Sequence, residues 1–279
     1  MSVSRQPSAR ETGTTAGDPQ RWLPQTQMTD PGREVSMLEG LPDDIGGLMR
    51  AVQGTLLHLE WLETYGLTAR DFPNMSRDTL SLADRLRVLK GAEGLRLNCP
   101  RAPAARSPGT CRDYSLMLCG LLRHRRIPAR VRCGFAAYFR EGGWEDHWIC
   151  ETWFDGRWRQ IDAQLDEVLV KRLGITFDPT DIPSGMFMPA PEAWLRWRGG
   201  NDEANLFGHG EEARGPWFMR VNVMRDHLVL NGAETSKWDT WRNARDVDRR
   251  LSDSELQAAD MVAADPTQPV RSLAPPWIA

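Results

Sequence analysis

The spacing of apolar residues divides this chain into two tails and one predicted domain. Residues 1–33 place few large apolar side chains among Ser, Thr, Gln, Pro and Arg, and such a segment cannot bury enough surface to repay its ordering. We therefore expect a disordered tail at 1–33, a single domain at 34–264 with its core at about 95–170, and a flexible tail at 265–279. Apolar residues at helical intervals predict helices on both sides of that core, at 41–65, 76–90, 191–197, 215–230 and 253–263.

The most apolar predicted helix begins near residue 110. Thr110 and Asp113 match the Ser/Thr-x-x-Asp/Glu pattern that caps a helix start, and the run from Tyr114 to Leu122 is almost wholly apolar. Because apolar positions fall on every side of this helix, we expect it to be buried nearly all round. Cys111 then lies in the first turn, where backbone N–H groups have no partner within the helix.

Three strands are predicted after this helix. Their patterns lie at 131–139, 146–154 and 157–163, and Asp155-Gly156 predicts a two-residue hairpin turn between the last two. Counting back from that turn pairs Ile149 with Asp162. His147 and Asp162 then become diagonal neighbours on one face of the hairpin, with Cβ atoms roughly 6 to 8 Å apart.

Cys111, His147 and Asp162 form a candidate catalytic triad. A helix N-terminus and a neighbouring imidazolium lower the pKa of a thiol, so we expect Cys111 to be an activated nucleophile. His147 is the candidate base, and Asp162 is preferred as its orienter to Asp166, which lies beyond the predicted strand. The backbone N–H of Cys111 is one predicted oxyanion donor, and Asn98 is a candidate for a second.

The order Cys, His, Asp is a weak signal by itself. Five cysteines and five histidines allow many chance combinations, so a Cys111 that only packs as a small residue at a helix start stays an alternative. The other four histidines, His58, His124, His209 and His227, are expected to have structural roles.

The stretch from Gly109 to Asp162 resembles the transglutaminase-like superfamily of papain-related thiol enzymes. The resemblance is carried by Gly109, Cys111, Asp113, Ile127-Pro128-Ala129-Arg130, Gly134, His147, Trp148, Glu151, Trp158 and Asp162. It is strongest to the stand-alone bacterial domains of that group, although Arg126 stands where a glycine is usual before Ile-Pro. The resemblance implies an α+β, papain-like fold in which a nucleophile-bearing central helix packs on an antiparallel sheet, with additional helices at both ends.

The activity that this resemblance implies is acyl transfer. The Cys111 thiolate is expected to attack the amide carbon of a peptide or isopeptide-type bond and form a thioester, with Cys111, His147 and Asp162 as catalytic residues. Hydrolysis is favoured over transfer to an amine, because transfer needs a site that excludes water. The expected substrate is a peptide or a small amide, and no cofactor and no metal are expected.

Two other classes of function stay open. One is a catalytically silent domain of this fold that binds a peptide or a partner. The other is a metal-binding protein that uses Cys99, Cys111, Cys133 and His147, although structural zinc usually takes closely spaced ligand pairs and these four are scattered.

Composition narrows the partners and the compartment. With 35 basic and 38 acidic residues the net charge is only −3, so neither nucleic acid nor a membrane surface is an expected partner. No apolar run is long enough to span a bilayer. An odd number of cysteines, the lack of a CxxC pair and a polar start to the chain predict reduced thiols and a cytoplasmic location.

Overall fold

The computed structural model describes residues 18–73, 78–93, 96–234 and 250–269. Its α-helices are Ile45–Gln53 (α1), Leu82–Glu93 (α2), Cys111–His124 (α3), Glu167–Leu173 (α4), Ala190–Arg198 (α5), Pro216–Leu230 (α6) and Asp253–Ala264 (α7). Its strands are Leu56–His58 (β1), Ser107–Gly109 (β2), Ala129–Ala136 (β3), Trp144–Phe154 (β4), Arg157–Ile161 (β5), Phe187–Pro189 (β6), Phe207–His209 (β7) and Ala213–Arg214 (β8). The fold is α+β, as predicted. Among the described residues, no helix has both the length and the apolar character needed to cross a membrane.

The main sheet is mostly antiparallel and is centred on β4. Its strand order is β6-β3-β4-β7-β8, and β5 pairs with the other end of β4. β3 runs antiparallel to β4, and β5 follows β4 in the predicted hairpin. The pairing of β4 with β7 is parallel, which the sequence did not indicate. Because β7 lies far along the chain, it brings residues of the C-terminal part to the strand that carries His147.

The Asp155-Gly156 turn has the predicted register. Both residues have positive φ, 51° for Asp155 and 78° for Gly156, as a two-residue hairpin turn of type I′ requires. Phe154 pairs with Arg157, and Cys150 pairs with Ile161. Asp162 then leaves the ladder, because its N–H donates to the carbonyl of Pro179 at 2.9 Å. The third strand is therefore shorter than predicted, but Asp162 still follows directly from the paired residues.

Helix α3 is the buried centre of the larger hydrophobic core. Leu118, Cys119, Leu121 and Leu122 have 0% exposure, and they pack with residues of α1, α2, β3 and β4. Apolar residues on every face leave such a helix no position at the surface, so it lies between the sheet and the N-terminal helices. The helix that carries Cys111 is thus packed on the sheet, as expected.

The helix predicted at 41–65 is wrong after Gln53. α1 ends at Gln53, and Gly54 is its C-cap. The hydroxyl of Thr55 donates to the carbonyl of Ala51 at 2.8 Å, and residues 56–58 form β1. β1 pairs in parallel with β2, which leads directly into α3. Leucine spacing fitted a helix here, but pairing with a distant strand decided the conformation.

The helix predicted at 76–90 begins later, at Leu82. Ser81 caps it, because its hydroxyl accepts the N–H of Asp84 at 3.1 Å. Ser76, the predicted cap, lies outside the described residues. The three predicted helices after the core correspond to α5, α6 and α7, whereas α4 and the short strands β6 to β8 were not predicted.

Parts of both predicted tails make contacts with the domain. Trp22 and Thr29 are buried, and the side chain of Gln25 donates to the carbonyl of Gly120 on α3 at 2.9 Å. At the other end, His227 on α6 is within 2.8 Å of the Pro266 carbonyl oxygen. Residues 18–33 and 265–269 therefore pack on the domain, while 1–17 and 270–279 lie outside the described residues.

Candidate active site

Cys111 is the first residue of α3 and is held by a capped and clamped helix start. Asp113 accepts the backbone N–H of Thr110 at 2.8 Å, which is the predicted capping interaction. The other carboxylate oxygen of Asp113 binds the buried guanidinium of Arg85 on α2. Arg85 also donates to the hydroxyl of Ser107 and to the carbonyl of Pro108, at 2.7 and 2.8 Å. One buried arginine thus joins α2, β2 and the start of α3.

His147 and Asp162 are in direct contact. His147 lies on β4, and its Nε2 is 2.8 Å from Oδ2 of Asp162, with both side chains almost fully buried. The backbone N–H of Gln164 donates to Oδ1 of Asp162 at 2.9 Å and fixes the carboxylate from the other side. The contact that the hairpin register predicted is therefore present. Because Nε2 faces the carboxylate, Nδ1 is the ring nitrogen left for a nucleophile.

Cys111, the third member of the predicted triad, lines a cavity together with His147. A cavity of about 330 Å³ is lined by Cys111 from α3 and His147 from β4. Its other lining residues are His58, Glu60, Trp61, Thr110, Phe139, Arg140, Glu145, Asp146, Gln164, His209 and Gly210. The helix start, the sheet and the β7 region therefore share one concave site.

The other sequence candidates lie elsewhere. Asp166 caps α4 by accepting the N–H groups of Val168 and Leu169, and it does not line the cavity. Asn98 is exposed and does not line the cavity either. Of the four residues considered for zinc, Cys99 is exposed and Cys133 lies in the core. Within the described ranges, no group of three or more His, Cys, Asp or Glu side chains is arranged to hold a metal ion.

The pKa of the Cys111 thiol is shifted in the direction opposite to the sequence-based expectation. Burial raises its pKa well above that of an ordinary cysteine, and the negative charges of Asp146 and Glu60 raise it further. The backbone N–H of Trp148 donates to the sulfur and acts in the opposite direction, but its effect is smaller. Burial of the thiol therefore acts against the thiolate that the helix N-terminus was expected to favour.

His58 and His209 line the cavity although both were assigned structural roles. His58 is at the end of β1, and the N–H of Glu60 donates to its Nδ1 at 3.2 Å. His209 is at the end of β7, with Nδ1 3.1 Å from a carboxylate oxygen of Glu145. The hydrogen bond that the His209 ring donates to Glu145 raises the pKa of His209. No local pattern marks either residue, because only the β1–β2 and β4–β7 pairings bring them to the site.

Aromatic rings surround the imidazole of His147. The ring centroids of Tyr138 and Phe139 are 6.0 and 4.7 Å from that of His147, and Trp61 packs on Phe139 at 6.0 Å. The sequence predicted a strand through residue 139, whereas β3 ends at Ala136 and a 3₁₀ turn follows at Ala137–Phe139. This turn places two consecutive aromatic residues against the same histidine, which strand alternation would not allow.

Comparison with known proteins supports the family resemblance. Residues 96–163 match the model of the transglutaminase-like superfamily, so the resemblance is confirmed for the segment that carries Cys111, His147 and Asp162. The comparison with curated proteins gave no match. A solved structure from Cytophaga hutchinsonii, provisionally named a cysteine protease, has 16% identity and a TM-score of 0.36. The alignment covers 53% of this chain and 42% of that one, and at these values its name says nothing about the activity of this chain.

Proposed function

We propose that this protein is a thiol enzyme that transfers acyl groups from amides through Cys111, His147 and Asp162. The observation that carries the proposal is the 2.8 Å contact between His147 and Asp162 in a buried site whose cavity also contains the helix-start Cys111. A thiol, an imidazole and a carboxylate in that order are the parts that covalent acyl transfer needs. The transglutaminase-like match over residues 96–163 supports a thiol enzyme of this general kind.

Burial raises the pKa of Cys111, which favours a first step in which the thiol loses its proton during the attack. In the proposed first step, His147 Nδ1 takes the thiol proton as the sulfur attacks the amide carbon, so that an S–C bond forms and an oxyanion develops. The backbone N–H of Cys111, at the first position of α3, is placed to donate to that oxyanion. The imidazolium then gives its proton to the leaving amine as the C–N bond breaks, and a thioester remains. Asp162 holds the ring in place and stabilises its positive charge throughout.

Water is the proposed second substrate. His147 takes a proton from water as the water oxygen attacks the thioester carbon. The C–S bond then breaks and the imidazolium returns the proton to the Cys111 sulfur, so that the acid leaves and the thiol is restored. We propose a peptide or isopeptide-type amide as the acyl donor. The proposed reaction uses no nucleic acid, membrane, metal or cofactor. The described cysteines are all free thiols, which supports a reducing compartment such as the cytoplasm.

A substrate-independent test is acetylation by p-nitrophenyl acetate, which transfers its acyl group to an activated nucleophile. Release of p-nitrophenolate and peptide mass spectrometry report the rate and the acetylated residue. Cys99 is exposed, so it serves as an internal reference thiol in the same chain. We expect Cys111 to be acetylated faster than Cys99, and His147→Ala to slow only Cys111, by about 10²- to 10⁴-fold.

The same assay separates the two candidate functions. If Cys111 is acetylated no faster than Cys99, or if His147→Ala leaves its rate unchanged, the acyl-transfer proposal is wrong. The catalytically silent binding module then becomes the better interpretation of the fold. Cys111→Ala is the control that identifies any background acetylation of other side chains.

A further inference from the structure

Asp162 carries a second side-chain donor besides His147. The phenol hydroxyl of Tyr138 donates to Oδ2 of Asp162 at 2.8 Å, which is the same oxygen that faces Nε2 of His147. The N–H of Gln164 occupies Oδ1. A carboxylate can only accept hydrogen bonds, and here the two side-chain donors share one of its oxygens. No local pattern in the sequence pointed to Tyr138.

The position of Tyr138 is built into the fold. Directly after β3, the N–H of Ala137 donates to the carbonyl of Met186 at 2.9 Å, and the 3₁₀ turn then directs Tyr138 toward Asp162. Its ring packs edge-on against His147 and Phe177, with centroids 6.0 and 5.4 Å apart. Ring packing therefore fixes the hydroxyl independently of the hydrogen bond. Burial raises the pKa of Tyr138 well above its usual value, so the phenol stays a proton donor over the working range of an enzyme.

We infer that Tyr138 is a positioning residue of the candidate active site, whose hydroxyl orients the Asp162 carboxylate and limits how strongly that carboxylate holds a proton on His147. The inference rests on the proposed acyl-transfer function. An oxygen that already accepts the Tyr138 hydroxyl offers less negative charge to an imidazolium. Tyr138 therefore favours the neutral imidazole, which is the form of His147 that can act as a base.

Other charged groups near His147 do not provide the same contact. The ionisable groups that line the cavity besides Cys111 are His58, Glu60, Arg140, Glu145, Asp146 and His209. Asp146 bonds to Asn222 at 2.7 Å and lies near Arg225 on α6, and Glu145 contacts His209 and Arg214. These groups act on His147 through the field of the cavity, whereas Tyr138 acts through the oxygen that His147 contacts.

The test is the pH profile of Cys111 acetylation in Tyr138→Phe, which keeps the ring and removes only the hydroxyl. We expect the plateau rate to fall by about tenfold, because the orientation of Asp162 and His147 is loosened. We also expect the acid limb of the profile to move to higher pH, since Asp162 then holds a protonated His147 more strongly. The KM for the ester should change little, because Tyr138 does not line the cavity.

The matched control is Tyr65→Phe. Tyr65 is also a partly buried tyrosine whose hydroxyl bonds to a carboxylate, Asp166, but it lies outside the cavity, so its removal should leave the profile unchanged. If Tyr138→Phe has the wild-type profile while His147→Ala is impaired, the role of Tyr138 is refuted and the triad stands. If His147→Ala is also unimpaired, the proposed function itself fails. NMR titration of the His147 ring protons should show the same shift to higher pH in Tyr138→Phe. That shift would support the role of Tyr138 independently of turnover.

Discussion

Replacing Asp113 by alanine should destabilise the protein strongly, although Asp113 is not one of the proposed catalytic residues. Asp113 accepts the N–H and the hydroxyl of Thr110 at 2.8 and 3.0 Å and pairs with Arg85, and the two charged side chains are 2% and 4% exposed. The change removes the Asp113 half of the capping box at the start of α3 and leaves a guanidinium buried without its anion.

The size of the effect follows from these two losses. Removing one partner of a buried ion pair costs about 3–5 kcal/mol, and losing the Asp113 half of the capping box costs up to about 1 kcal/mol. Arg85 keeps its bonds to Ser107 and Pro108, and the two losses share one carboxylate, so they do not add fully. We expect the free energy of unfolding to fall by about 4 kcal/mol. In Arg85→Met/Asp113→Ala, where no buried charge remains unpaired, part of that loss should be recovered.

The assay is urea unfolding followed by tryptophan fluorescence, with Asp181→Ala as the matched control. The pair of Asp181 with Arg157 has side chains that are 33% and 54% exposed, so its loss should cost less than about 1 kcal/mol. If Asp113→Ala lowers the free energy of unfolding as little as the control does, the buried Asp113–Arg85 pair does not stabilise the protein as proposed. A double variant less stable than Asp113→Ala would refute the assignment of the cost to the unpaired charge of Arg85.

Three further predictions concern single charges and one strained residue. Asp146→Asn should move the iodoacetamide labelling of Cys111 to lower pH, because the negative charge of Asp146 helps to raise the pKa of the thiol. The pH dependence of Cys99 labelling in the same sample should stay the same. An unchanged pH profile for Cys111 would contradict this cause. Arg126 has a φ of 61°, so Arg126→Gly should increase the free energy of unfolding by about 0.5–1 kcal/mol in a urea titration, whereas Arg126→Ala, which keeps a Cβ, should bring no gain. Burial by itself raises the pKa of Glu151, but Arg132 and Arg130 hold this pKa at about 2, below the value of 4.5 for an unperturbed group. The stabilising contribution of Glu151 is therefore present above about pH 4.5 and is lost as the pH falls toward 2. Urea midpoints measured down that range should fall less steeply in Glu151→Gln than in the wild type, and equal slopes would argue against the depressed pKa.

The sequence by itself determined the central helix and the hairpin. The apolar run after Thr110 predicted a buried helix, and the capping pattern located its start to the residue, because caps and amphipathic spacing act within one or two turns. The Asp155-Gly156 turn determined the strand register and with it the contact between His147 and Asp162. Arg126 in a left-handed conformation also agrees with the glycine that is usual at this position in the resembling superfamily. These parts were predictable because each depends on residues close together in the chain.

Only the tertiary structure decided the surroundings of the predicted triad. β1 is a strand rather than a helix because it pairs with β2, and β7 brings His209 beside β4 from far along the chain. The turn after β3 places Tyr138 on Asp162, and enclosure of the cavity raises the pKa of Cys111 where a helix start alone would lower it. Local propensity contains no information about which distant segments pair or how much water a cavity excludes. The three candidate residues could therefore be found by motif and register, whereas their electrostatic environment required the packed structure.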